Sequence, residues 1–335
     1  MTEELRPAWD AYVTSAEHGL PQHLSGWRDV LYKTYGYKTH YLMAQEGGRV
    51  TGVLPLFMLP GVLLGSMATT MPGGLCAESG AVALELVAGG QESARRARAQ
   101  RFILHDTRQA WPGDLQTSSR HVHWTVDIRA QADALWAQLD SNVRRQVRMA
   151  QRNQLSVDVD RTGQRLGAFY DIFSRYTHQI GTPVFGYRFL QHIVETFPAG
   201  FNIAVVSQAR RPIGAYFQLE MGRTVYGLWG ATLREYFKLR PVYLAYWEIL
   251  RDAVARGFHF VDMGRSPAGS NASRFKGQWG GVARPVYQQV ACLTGPRPAE
   301  GSNGQAQWVK RLWPRLPLPV ARYVGPRLRR HMPFG

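Results

Sequence analysis

The chain has 335 residues, 45% hydrophobic and 12% aromatic, enough for one large domain or two ordinary ones and unlike a disordered or fibrous chain. Its net charge of +16 favours an anionic partner: nucleic acid, a phospholipid surface, an acidic carrier protein or a nucleotide-linked substrate. Cys76 and Cys292 lie in no CxxC or Cys/His cluster, which argues against a disulfide framework or a metal site and for a reducing cytoplasm.

The N-terminal "MTEELRPAWDAYVTS" lacks a basic segment followed by an apolar one, so no secretory signal is expected. "HLSGWRDVLYKTYG" has apolar residues at Leu24, Trp27, Val30 and Leu31, the spacing of an amphipathic helix. "THYLMAQEGGRVTGVLPLFML" reads as a hairpin turning at Gly47-Gly48. Residues 50–76 carry no charge, but Pro55, Pro60, Gly61, Gly65 and Pro72-Gly73-Gly74 break them into pieces of strand length rather than a membrane span. A helix over about 80–99 and strands at "RFILHD" and "HVHWTVDI" complete the first half.

Next comes "ALWAQLDSNVRRQVRMAQRNQ". Leu135, Leu139, Val143 and Val147 mark one helical face, and Arg144, Arg145, Arg148 and Arg152 mark the opposite one. Apart from Asp140, four residues before Arg144, no acid offers these cations an i,i+4 pair, so the face is either simply solvated or directed at phosphate.

From about residue 165 a similar order returns. "GQRLGAFYDIFSRYTHQIG" and "YRFLQHIVETF" read as helices, "FNIAVVSQ" and "PIGAYFQLEMG" as a hairpin, and "TVYGLWGAT" as a third strand. "VYLAYWEILRDAVARG" is a helix closed by Gly257, and "FHFVDMG" is a strand. Helix, hairpin, strand, helix, strand thus occurs twice, as two similar α/β domains produce. The strand leads into "DMGRSPAGSNASRFKGQWGG", a stretch dense in glycine and positive charge that is expected to be a Gly/Ser loop. Arg265 and Ser266 fall just past the strand end, where α/β folds collect their sites. The tail from Trp308 holds seven Lys or Arg and no acid, interleaved with Leu312, Trp313, Val320, Tyr323 and five prolines. It suits short amphipathic pieces at an anionic inner-leaflet surface, a tail packed on the body, or disorder.

A hairpin, a strand, a helix such as Tyr243–Arg256 and a strand ending at Asp262 resemble the core of GNAT-type acyltransferases. No glycine lies between Gly230 and Gly257, nor in "SARRARAQR" of the first half, so the Gly-rich coenzyme A turn of that fold has no counterpart and no cofactor is expected. A duplicated GNAT-like fold without that turn resembles the FemAB family. "DMGRSPAGSNASRFKGQWGG" resembles the family's C-terminal signature, "NVRRQVRMAQRNQLSV" its Arg-rich connecting helix, and "QIGTPVFGYRFLQHI" and "LWGATLREYFKLRPVYLAYWEI" further family segments. The match covers about residues 20–295 and most resembles members associated with exosortase and exopolysaccharide loci.

The resemblance implies a mixed α/β (α+β) chain of two tandem GNAT-like domains, each a mixed, mostly antiparallel sheet flanked by helices. The expected division is 1–150 with the basic connecting helix, 151–295, and a basic Pro-rich tail at 296–335. It implies acyl transfer to an amine, with aminoacyl-tRNA or an acyl carrier protein as donor and a lipid- or nucleotide-linked envelope precursor as acceptor. Lys276 and Phe275 match the family's Phe-Lys pair, Lys276 to neutralise a developing oxyanion and Phe275 to stack or wall the site. Arg265, Ser266, Arg274, Trp279, Arg144, Arg148, Tyr243 and Trp229 are the expected substrate-binding residues. His259 and His178 are candidate bases, more simply read as structural. The alternative is a non-catalytic RNA- or membrane-binding protein on the same fold.

Overall fold

The computed structural model describes residues 2–61, 65–294, 310–332 and 334. The chain divides into two compact units: Met1–Arg120 with Pro285–Gln305 and Pro326–Gly335, and His121–Arg284 with Ala306–Gly325. The sequence reading had placed the boundary at 150. The basic helix Ser141–Arg152 buries Val143, Val147 and Ala150 in the core of the second unit, so it groups with that unit rather than with the first.

The first unit begins with α1 (Arg6–Ser15) and α2 (Gly26–Tyr35). Strands β1 (Thr39–Glu46) and β2 (Arg49–Leu59) form the expected hairpin, followed by β3 (Met67–Thr70) and the short β4 (Cys76–Ala77). Helix α3 (Gly80–Arg96) then crosses to β5 (Arg101–Asp106), which lies parallel to β3. The apolar run of residues 50–59 is thus a buried strand, and among the described residues no helix is long and apolar enough to cross a membrane.

The second unit repeats this order. After β6 (Gln116–Asp127) come α4 (Ala132–Gln138), α5 (Ser141–Arg152) and β7 (Leu155–Asp160). Asp140 caps α5 by accepting from the Asn142 amide, so the Leu135–Val147 stripe runs over two helices rather than one. Helices α6 (Leu166–Gln179) and α7 (Tyr187–Thr196) precede β8 (Phe201–Gln208), β9 (Arg211–Met221) and β10 (Thr224–Thr232), an antiparallel meander. Helix α8 (Pro241–Ala255) crosses to β11 (Phe260–Pro267), parallel to β10. The sequence reading missed the short α9 (Asn271–Gly277), which occupies the expected loop, and β12 (Val282–Cys292).

In each unit a helix therefore joins two parallel strands at the end of an antiparallel set, as expected of tandem GNAT-like folds. The terminal strand of each set is exchanged in sequence. β6 follows β5 in the chain but pairs with β11, whereas β12 follows β11 and pairs with β5. Consecutive residues of β9 face opposite layers: Tyr216 joins the core under α5 and α8, and Phe217 packs at a tilt against Phe169 of α6.

The tail is packed where it is described. In the second unit, His178 pairs with the Leu316 carbonyl at 2.8 Å, and Arg322 binds Asp171 and the Ser174 hydroxyl. In the first unit, the Tyr37 hydroxyl donates to the Arg330 carbonyl. Residues 318–329 form helix α10 despite the internal Pro326. Trp308 lies outside the described residues.

One branch among the strands of the second unit positions the candidate site. β10 runs to Thr232 and β11 to Pro267, yet they pair only from Thr224 to Tyr226 and from Phe260 to Asp262. Both strands have register shifts just beyond, at Gly227/Trp229 and Asp262/Gly264. Gly264 has a φ of +71°, and a Cβ there would lie 2.8 Å from the Gly227 carbonyl oxygen. Left-handed backbone costs a non-glycine residue ~1–2 kcal/mol, and the backbone contact adds to it. Gly264→Ala is therefore expected to lower the free energy of unfolding in urea by at least that amount, with a matching fall in the midpoint. An unchanged midpoint would show that the branch does not depend on the missing Cβ.

Candidate active site

Past the branch, β11 continues through Gly264-Arg265-Ser266 while pairing with β6 on its other side. Pro267 and Gly269 turn the chain into α9, whose N-cap Ser270 accepts from the Ser273 amide at 3.1 Å. Gly277 and Gly281 seat this helix flat on Trp124, since a Cβ at either would come within 3.0 or 3.1 Å of the indole. The glycines of the stretch therefore serve close packing as well as turning.

That seating turns Lys276 inward. It is 8% exposed, and its Nζ donates to the carbonyls of Gly264 (2.9 Å) and Arg265 (2.8 Å). An ammonium has three donors, so two carbonyls leave one for a third acceptor. Burial pushes its pKa down to about 8; nearby Asp262 opposes the shift and Arg265 adds to it.

Asp262 is the buried hub of the cluster. One carboxylate oxygen accepts the Gly264 amide at 2.6 Å, and the other lies 2.6 Å from Nε2 of His123 on β6. Arg265 stands directly across the strands from His123. Desolvation lowers the Arg265 pKa, and no carboxylate among the described residues pairs with it. A partly desolvated guanidinium without an internal anion is suited to a carboxylate or phosphate from outside. His121, opposite Pro267, has its pKa lowered by burial and then by Arg265.

The expected site residues separate into groups. Lys276 and Arg265 meet at the branch, with Phe275 beside them on α9. Phe275 packs edge-on against Tyr243 at 5.1 Å and against Trp279 at 6.0 Å, an aromatic wall under α8. Trp279 is 1% exposed, so it is core and presents no face to a substrate. Ser266 is likewise buried, with its hydroxyl turned away from solvent. Trp229 follows the register shift in β10, but its ring packs with Phe185, Phe189 and Phe217 in the aromatic cluster under α7. Arg274 is exposed and bound to Asn271.

On α5, Arg144 donates to the Ala137 carbonyl, and Arg148 covers Trp136 at 5.7 Å. None of the four α5 guanidiniums pairs with a carboxylate among the described residues, so the stripe keeps its positive field. Of the candidate bases, His259 lies beside Arg223 and His178 holds the tail. The polar residues of this cluster that do not stand out in the sequence are Asp262 and His123. Their one signal was "HVH" in an alternating strand, which puts His121 and His123 on one face.

The helix after the meander offers little to a pyrophosphate. Arg240, in a left-handed conformation, precedes Pro241, which has no amide hydrogen. In the first unit the crossover helix is α3, and the segment that leads into it is "MPGGLCAESG", not "SARRARAQR". It holds Gly73, Gly74 and Gly80. The first two are buried, a Cβ on Gly74 would meet the His105 carbonyl, and they serve packing, whereas Gly80 is exposed as the first residue of α3.

No curated protein sequence matches the chain. Its structure is similar to that of FemX, with a TM-score of 0.64 at 14% identity over 84% of this chain and 95% of that one. It is also similar to the C-terminal domain (DUF2156) of a putative lysylphosphatidylglycerol synthetase from Agrobacterium fabrum (TM-score 0.56, 12% identity, 92% and 96% covered). A tandem GNAT protein from the clavulanic acid biosynthesis pathway gives 0.54 at 12% identity, with 88% and 97% covered. At these identities the likeness is one of fold. Residues 137–277, from the end of α4 through Lys276, match the family model of the acetyltransferase (GNAT) domain, so the chain carries an acyltransferase domain.

Proposed function

We propose that the chain transfers an aminoacyl or acyl group from an activated carrier to an amine on a cell-envelope or exopolysaccharide-related acceptor. The observation that carries this reading is the branch of β10 and β11, where buried Lys276 and unpaired Arg265 stand beside the splayed strands. Lys276 stabilises the oxyanion of the tetrahedral intermediate, and Arg265 holds an anionic group of donor or acceptor. Phe275 and Tyr243 wall the site. Arg144 and Arg148 lie on the cationic face available to donor phosphates.

Aminoacyl-tRNA or acyl carrier protein is favoured over acyl-coenzyme A because the α8 N-terminus lacks both glycine and the Pro241 amide. The likeness to FemX and to a putative lysylphosphatidylglycerol synthetase supports an aminoacyl group and a lipid-borne acceptor. On the tail, Leu312, Val320 and Tyr323 are exposed among Lys310, Arg311 and Arg315, which suits contact with the anionic inner leaflet.

The test is a donor screen with aminoacyl-tRNA, acyl carrier protein and acyl-coenzyme A against lipid-linked amine acceptors, read by mass spectrometry. Consumption of aminoacyl-tRNA or acyl carrier protein with a new amide on the acceptor is expected. Salt-sensitive binding without donor consumption would instead make the chain an RNA- or membrane-binding protein.

A further inference from the structure

We propose that His123 is the proton-transfer group of this site, with Asp262 as the residue that positions it. The inference rests on the acyl-transfer reading above and adds a role that Lys276 does not fill. Both Asp262 oxygens act as acceptors, one for the Gly264 amide and one facing His123 Nε2, each at 2.6 Å. The carboxylate is 7% exposed and cannot exchange these partners freely with water. It therefore holds the imidazole as the Nε2–H tautomer and leaves the Nδ1 lone pair as the proton acceptor. His123 itself is partly exposed at 22%, so the dyad reaches from a buried carboxylate to an accessible ring.

Its setting suits a proton shuttle. Arg265 lies opposite on β11, His121 two residues along the same face of β6, and Lys276 is tied through the Arg265 carbonyl. Asp262 is the negative group that offsets these neighbours, which lets the imidazole carry a transient positive charge. In the reaction, the acceptor amine attacks the carbonyl carbon of an acyl ester or thioester. The new C–N bond forms as the carbonyl pair moves onto oxygen, facing Lys276. His123 Nδ1 takes the proton lost by the attacking nitrogen. Collapse of the oxyanion breaks the bond to the carrier, and the imidazolium returns the proton to the departing oxygen or sulfur. The products are the amide and the free carrier.

Two measurements on the full chain test this. Long-range ¹⁵N–¹H spectra of the imidazoles are expected to show His123 as the Nε2–H tautomer at neutral pH, and Asp262→Asn is expected to abolish that preference. An Nδ1–H tautomer in the wild-type chain overturns the proposal without any substrate. With the donor and acceptor from the screen, His123→Ala is expected to lower turnover ~10²–10⁴-fold. Added imidazole should restore part of that loss, which a merely structural histidine would not allow. His123→Ala that keeps turnover within about threefold of wild type overturns the dyad, as does a folded variant that imidazole leaves unrescued. If wild-type protein consumes no donor, the acyl-transfer reading has failed instead, and the dyad falls with it as a catalytic device.

Discussion

Lys276→Ala is expected to reduce acyl transfer by ~10²–10³-fold, the range seen when one preorganised oxyanion donor is removed, while leaving a folded chain. Two effects oppose each other in its stability. The substitution takes a donor from the Gly264 and Arg265 carbonyls, which destabilises, and it removes a cation from a buried place, which stabilises. The net change at pH 7 is therefore expected to stay within ~2 kcal/mol, far less than would account for lost turnover. Circular dichroism and single-turnover transfer on the same sample separate the two. If Lys276 only clamps the bulge, melting falls and transfer at low temperature stays at the wild-type rate.

The same lysine predicts a pH signature. Its pKa is about 8 in the folded chain against an ordinary 10.5, which the unfolded chain keeps. Below about 8 both states hold the proton, and the cost of burying the charge is fully present. Between about 8 and 10.5 the unfolded state holds a proton that the folded state has released, so stability rises with pH across that window. The rise amounts to something on the order of 2–4 kcal/mol. Lys276→Met should flatten it. The wild-type-minus-variant difference in urea unfolding, measured from pH 7 to 10, cancels the other titrating groups. Parallel curves for the two proteins would show that the ammonium is not desolvated.

Trp279→Ala is expected to damage the fold rather than the site. The indole is 1% exposed, with Tyr243, Tyr246 and Phe275 against it. Truncating a buried tryptophan costs ~3–5 kcal/mol, which in a domain of this size lowers the melting temperature by roughly 10 °C. Because Phe275 and α9 lean on the same ring, loosening of the Lys276 helix should follow as faster amide exchange over 271–277. Trp279→Phe keeps most of the apolar contact and should lose far less. A Trp279→Ala protein that melts like wild type but shows a raised KM would return this residue to the substrate surface.

Much of this architecture was legible because its elements are long and regular in pattern. Helices α6, α7 and α8 and strands β8 to β11 follow from periodicities of 3.6 and 2 with Gly or Pro at their ends. The duplicated order of elements, and with it the pair of α/β domains, follows from those, whereas the GNAT-like class came from the resemblance. The short α9 was not legible, because seven residues following two glycines carry no usable period, and its N-cap Ser270 is one serine among several. The placement of Trp279 failed for a related reason. In a glycine-rich stretch an aromatic residue looks like a binding face, and only the wall of Tyr243, Tyr246 and Phe275 makes it core.

What the sequence by itself determined is local: the longer helices and strands and the cationic face of α5, to which the family resemblance added the Phe275-Lys276 pair. The tertiary structure decided the rest, because the site is assembled from residues far apart in the chain. His123 and Asp262 are separated by 139 positions and meet only because β6 pairs with β11. Lys276 finds its two carbonyls where the strands part, at a place where Gly264 and Gly227 let the two backbones approach closely. Strand pairing and close backbone approach are properties of the folded sheet, and no local pattern in one strand encodes which partner it will take.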